Sequence, residues 1–114
     1  MEKFLFVLLF MSSFSVQAGW TTTAAKISLL NPKDATTEWV RLEPSVSVGN
    51  PQSCTEHDNW FEISDMDTDK GKANWSLAMM AFAMGHKVTI NSTQCVSSGQ
   101  YNNVYRIRVN SEDN

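Results

Sequence analysis

Residues 74–85 read NWSLAMMAFAMG. From Trp75 to Met84 only Ser76 is polar, and Gly85 follows where a left-handed residue ends a helix without steric cost. The stretch predicts a helix from about Asn74 to Met84. At about 100° per residue, Trp75, Ala78, Met79 and Phe82 fall on one face, and Leu77, Met80, Ala81 and Met84 on the opposite one. A surface helix of a small domain has one apolar stripe and one wet stripe. This helix has two apolar stripes, and a helix apolar all round is covered all round. The second face calls for a partner subunit, a membrane, or the far wall of a sheet that curls around it. In so small a chain the partner subunit is the leading expectation, with Leu77, Met80, Ala81 and Met84 as the oligomer interface. Ala78, Ala81 and Ala83 let a neighbour approach closely, and the methionines fill irregular gaps.

Just upstream, residues 64–71 read SDMDTDKG. Asp65, Asp67 and Asp69 alternate as in a calcium loop, which needs oxygens at positions one, three and five, Gly at six and a bidentate Glu at twelve. Here position six is Lys70 and position twelve is Ser76, with Lys70 and Lys72 adding positive charge. The stretch reads instead as a polar turn between a strand and the helix, with its acids near the helix N-terminus where the dipole favours them.

Strand signals dominate the rest. Residues 26–30 alternate until Asn31-Pro32-Lys33-Asp34 stops them, residues 37–42 are β-rich and end near Pro44, and residues 45–48 could extend them as a bent or bulged strand. Gly49-Asn50-Pro51 is a turn. Residues 60–64 place Phe61 and Ile63 on one face. Residues 86–90 place Val88 and Ile90 inward. Residues 103–109 put Tyr105, Ile107 and Val109 on one side and Val104, Arg106 and Arg108 on the other. The expected fold is mainly β with one buried α-helix.

The first 18 residues, MEKFLFVLLFMSSFSVQA, have a short charged start, an apolar run and a small-residue cleavage signal. They read as a secretory signal peptide, too short to span a membrane. That leaves one domain over residues 19–110 and a polar tail over 111–114. The expected location is secreted or periplasmic, with no membrane span. The two cysteines, Cys54 and Cys95, suit one disulfide in an oxidising compartment. It would close a loop of roughly 42 residues and contribute about 4 kcal/mol by chain entropy. The net charge of −3 comes with no basic patch, so a nucleic-acid partner is not expected. The acids cluster between Glu56 and Asp69, as on a solvated edge.

Candidate chemistry is sparse, and no cofactor or metal is expected. His57-Asp58 with Asp65 nearby could bind zinc, but neither His57 nor His86 has zinc-ligand spacing, and a surface histidine is the better reading. No Ser sits in a GxSxG elbow, and with both cysteines paired there is no evident nucleophile, so an enzyme is not expected. Arg106 and Arg108 either grip a carboxylate or form the wet face of a strand. Asn74-Trp75-Ser76 and Asn91-Ser92-Thr93 fit the N-glycosylation pattern. Among four tryptophans, Trp60 should point away from Phe61 and Ile63, beside Asp58, Asn59 and Glu62. An aromatic among carboxylates and amides either stacks on a sugar or peptide, with Asp58, Asn59, Trp60 and Glu62 as the binding residues, or is an edge or interface tryptophan.

Ser76 in the first helical turn, the apolar run Leu77 to Ala83, Gly85, the strand Val88 to Ile90, Cys95 and the closing strand Val104 to Val109 form a pattern. It resembles the exported B-subunit-like domains of bacterial toxins, above all the subtilase-cytotoxin type. The resemblance covers roughly the second half of the chain. It implies an OB-like, five- or six-stranded antiparallel barrel with one helix. It also implies a homo-oligomeric ring, often a pentamer, with helices around a pore and glycan receptors outside, partnered by a toxin A subunit. The functional expectation is an exported, non-enzymatic, carbohydrate-binding module. The alternative is a monomeric periplasmic inhibitor or envelope protein acting through the disulfide-anchored loop from Cys95 to Asn103.

Overall fold

A computed structural model describes residues 19–34 and 36–110. The expected signal peptide and polar tail lie outside the described residues. Among the described residues, eight strands and one helix follow in the order β1 (Gly19–Trp20), β2 (Ala25–Asp34), β3 (Thr37–Leu42), β4 (Trp60–Ile63), α1 (Asp69–Met84), β5 (Lys87–Ser92), β6 (Cys95–Val96), β7 (Tyr101–Asn103) and β8 (Arg106–Asn110).

The strands form one sheet in the order β1-β5-β2-β3-β4-β7-β6, with β8 on β5. β2 bends at a register shift between Ile27 and Leu29, so its start pairs with β5 and its remainder with β3. The bend curls the sheet into a half-barrel. Its concave side holds Ala25, Ile27, Val40, Leu42, Phe61, Ile63, Val88, Ile90 and Ile107, all buried, with Ala78 and Ala81 of α1 packed in the same cluster. The alternation in β3, β4 and β5 thus does what the sequence pattern requires: one face of each strand is apolar because it faces this core.

The five- or six-stranded, wholly antiparallel barrel expected from the resemblance differs from this sheet in two ways. There are eight strands, and β4 pairs with β7 in parallel, Phe61 opposite Asn102 and Glu62 opposite Asn103. β1, β6 and β7 are two or three residues long, too short for alternation to reveal. β2 also runs through Pro32, where a stop was expected. The missing N–H is tolerated there because this part of β2 pairs only with β3. The chain then reverses at Asp34, whose Oδ1 accepts from the Thr36 N–H at 3.0 Å.

The helix begins at Asp69, five residues before the expected start at Asn74. Thr68 is the N-cap, its hydroxyl accepting from the Gly71 N–H at 3.0 Å and donating to the Asp65 carbonyl at 2.7 Å. Gly71 is required, because a Cβ there would overlap the Asp65 carbonyl oxygen. The polar stretch is therefore a strand-to-helix turn with a cap. At the far end Gly85, at φ 71°, closes the helix in the left-handed conformation.

The helix is not buried on both faces. It buries a single stripe of Gly71, Asn74, Ala78 and Ala81, small enough to let the helix lie close on the sheet. The larger residues flank that stripe. Leu77, Met79 and Met80 are exposed, as are Phe82 at 47% and Met84 at 62%. The half-barrel is too open to reach around either flank.

Candidate functional site

The convex face of β3, β4 and β7 gathers the aromatic residues that the core excludes. In β3, Val40 and Leu42 point inward, so Trp39 and Arg41 point outward. In β4, Phe61 and Ile63 point inward, so Trp60 and Glu62 point outward. Register sets Trp39 opposite Glu62 and Arg41 opposite Trp60. The parallel pairing brings Tyr101 beside Trp60. The Trp39 ring meets Trp60 edge-to-face at 5.3 Å and Tyr101 edge-to-face at 4.7 Å, the arrangement ring quadrupoles favour. Asn31, Trp39, Trp60 and Tyr101 line a groove of about 250 Å3. Trp60 and Tyr101 also wall a second hollow, of about 470 Å3, with Thr55, Glu56, His57 and Asp58.

Two ion pairs hold this face. The Glu62 side chain is only 2% exposed and lies 3.2 Å from the Lys33 ammonium. The Ser97 hydroxyl donates to the same carboxylate oxygen and accepts from Lys33 at 2.8 Å. A buried carboxylate needs such partners to remain charged. Lys33 also lies over the Trp39 ring at 5.1 Å. Arg41 bonds Asp58 at 3.1 Å and covers the Trp60 ring at 5.1 Å.

The rim between Gly49 and Asn59 has no regular structure and is held by side chains. The Cys54–Cys95 disulfide, with Cα atoms 5.7 Å apart, ties it to β6. The Thr55 and Glu56 N–H groups donate to the Gly99 and Gln100 carbonyls at 3.1 and 2.9 Å. Asn50 brackets the Cys54 peptide, its Nδ2 donating to the carbonyl at 2.8 Å and its Oδ1 accepting from the N–H at 3.0 Å. Fully buried Asn102 donates to Asn50 Oδ1 at 2.8 Å and accepts from the Gln52 N–H at 3.0 Å. Asn102 Nδ2 also lies 3.0 Å from His57 Nδ1, so that ring nitrogen accepts and the neutral imidazole carries its proton on Nε2. Burial lowers the His57 pKa, opposed by the Gly49 backbone and by Asp58.

Of the four residues singled out around Trp60, the structure brings three to this face. Trp60 is a wall, Asp58 stands on the rim and Glu62 lies beneath the rings. Asn59 turns inward instead, because its left-handed backbone, φ 64°, directs its amide to the Glu43 and Val46 carbonyls, both at 2.8 Å. Trp39 and Tyr101 were missed. Trp39 carried the same alternation signal as Trp60, whereas Tyr101 depends on a pairing between distant segments.

The other candidates are dispersed. Leu77, Met80 and Met84 are exposed on α1, but Ala81 belongs to the chain's own core. Asp65 pairs with Lys70 at 3.2 Å, and among the described residues no three His, Cys, Asp or Glu side chains come together as metal ligands. Arg106 and Arg108 are exposed and lie over the Tyr105 and Trp20 rings at 5.6 and 4.4 Å. Asn74 and Asn91, the asparagines of the glycosylation patterns, are both buried. Asn74 donates to the Tyr105 carbonyl at 3.1 Å, so neither offers its amide to solvent.

A disulfide is present, and among the described residues no helix is long and apolar enough to cross a membrane. Comparison with protein-family models, curated proteins and solved structures finds no match for this chain.

Proposed function

We propose that this chain is an exported, non-enzymatic binding module of OB-like type that takes a glycan in the Trp39–Trp60–Tyr101 groove and assembles into a homo-oligomeric ring. The observation that carries the reading is the set of three packed rings on a convex sheet face, bordered by Asn31, Glu56 and Asp58. The apolar C–H face of a pyranose stacks on such rings, while amides and carboxylates exchange hydrogen bonds with its hydroxyls. Glycan-array binding by the oxidised protein, reduced by at least about ten-fold in Trp60→Ala, is the expected result. No binding by correctly folded protein overturns the glycan reading.

The ring rests on α1, whose exposed residues divide into two flanks, Leu77, Met80 and Met84 on one and Met79 and Phe82 on the other. A ring supplies each helix with two neighbours, one per flank. Light scattering on the oxidised protein should give a multiple of the protomer mass, and a monomer at all concentrations would remove this part.

The second reading, a monomeric inhibitor, draws on the loop that follows β6. Ser97, Ser98 and Gly99 all have positive φ, 55°, 60° and 84°, and the disulfide and the Thr55 and Glu56 backbone bonds brace the loop. A braced loop of this kind enters an enzyme cleft at low entropic cost. Inhibition of a periplasmic hydrolase that is lost when residues 97–99 are replaced would favour it over the glycan reading.

A further inference from the structure

Resting on the glycan reading, we infer that the groove selects uncharged pyranosides and rejects sialylated, sulfated and uronic sugars. Its charge distribution carries the inference. Among the described residues that line the groove and the adjoining hollow there is no lysine or arginine; the ionised groups are the acids Glu56 and Asp58. The two cations nearest the rings are already committed. Lys33 lies between Glu62 and Ser97, and withdrawing it strands a carboxylate that is 2% exposed. Arg41 is bonded to Asp58 and packed over Trp60, and recruiting it to an anion releases Asp58 beside that anion. His57 does not substitute, because its Nδ1 accepts from Asn102 and burial disfavours the imidazolium.

A sugar carboxylate or sulfate stacked against Trp60 would therefore meet Glu56 and an Asp58 already paired with Arg41, with no free counter-ion. A neutral sugar meets the opposite situation. Glu56 and Asp58 are exposed acceptors, and a pair of carboxylates suits a run of hydroxyl donors. Asn31 and Thr55 add groups that both donate and accept.

The experiment compares matched glycans, a neutral oligosaccharide and its sialylated and sulfated forms, by titration calorimetry at low salt with the oxidised, full-length mature protein. The expected result is binding of the neutral form at least about ten-fold tighter than either anionic form. The preference should shrink at least three-fold in the Glu56→Gln/Asp58→Asn double variant, because the acidic charges are gone and Arg41 is released from Asp58. Anionic glycans binding as tightly as neutral ones, with that binding lost in Trp60→Ala, overturns the selectivity and leaves the groove as the glycan site. Neutral-glycan binding that is indifferent to Trp60→Ala moves the site elsewhere and overturns the inference. No glycan binding by folded protein overturns the inference together with the glycan reading.

Discussion

Helix α1 leaves large apolar side chains exposed and the β3–β4–β7 face keeps its rings half-buried, and the two hold them differently. On the sheet face Trp39 is fixed between Trp60 and Tyr101, and Lys33 and Arg41 lie over the indoles. On the helix all polar residues lie in the first half, up to Ser76, and from Leu77 onward none follows until His86. Phe82 and Met84 therefore stand without polar neighbours on their own element, and Leu77, Met79 and Met80 have only Asn74 and Ser76 within a turn. Rigid rings with a polar rim preorganise a site for a small, hydrogen-bonding ligand. Unbranched methionines adapt to an irregular apolar surface such as another subunit. The fold completes the first surface by itself and leaves the second open.

The sharpest way to break this contrast is to release the rim. Cys54→Ser/Cys95→Ser should lower stability by about 4 kcal/mol in urea denaturation, since the disulfide closes a long loop. Hydrogen exchange should show residues 50–58 losing protection first while α1 keeps its own. Equal loss in both regions would mean that they are one cooperative unit. A smaller effect follows from the Glu62 ion pair. Lys33→Met leaves a buried carboxylate with Ser97 as its remaining partner and should cost about 2 kcal/mol, moderated because Lys33 is partly exposed. Glu62→Gln added to Lys33→Met should recover part of that loss. No recovery would assign the effect to Lys33 packing on Trp39 rather than to charge.

The same contrast sets what was legible in the sequence. β3 was read to the residue, and β4, β5 and β8 were found within a few, because short runs of alternation report a single buried face. The extension expected over 45–48 is a turn and irregular chain, and Val104 is buried and Tyr105 exposed because the strand is interrupted between β7 and β8. Trp60 was placed outward by the same logic. Tyr101 was not, since its position beside Trp60 comes from a parallel pairing of three-residue β7 with β4, which no local pattern encodes. The helix start was hidden by Gly71, a poor helix former that is present for close packing on Asp65. The two apolar helix stripes were read as faces to be covered. In fact the narrow boundary between them, Asn74, Ala78 and Ala81, is what meets the core, because small residues bring the helix close. Hydrophobicity alone ranks Met and Phe above Ala for burial, and it fails where closeness of approach decides.

The helix surface offers a smaller effect on stability and a larger one on mass. Met80→Lys/Met84→Lys changes exposed positions, and lysine near a helix C-terminus is favourable to the dipole. The stability of the protomer should stay within about 0.5 kcal/mol of the parent. If the flank holding Leu77, Met80 and Met84 is an interface, light scattering should show the mass falling to that of the protomer, with glycan affinity per groove retained. A ring that survives both charges would place its interface off this flank.

The smallest expected effect is one of pH, and it tests whether the groove side responds alone. Burial holds the folded His57 pKa below its ordinary value of 6.5. As pH falls through that value, the unfolded chain binds a proton that the folded chain still refuses, so stability declines. The decline ends once the folded pKa has been passed, and above neutral pH the contribution is constant. Protonation would also turn Nδ1 from acceptor to donor against the Asn102 amide, which is bound to Asn50. The urea midpoint should therefore drop between pH 7.5 and 5.5, and His57→Gln should flatten that slope. A slope that persists in His57→Gln would separate the rim from the pH response. Hydrogen exchange at pH 5.5 should find the new mobility in residues 49–59 and not in the second half of α1, where no side chain titrates.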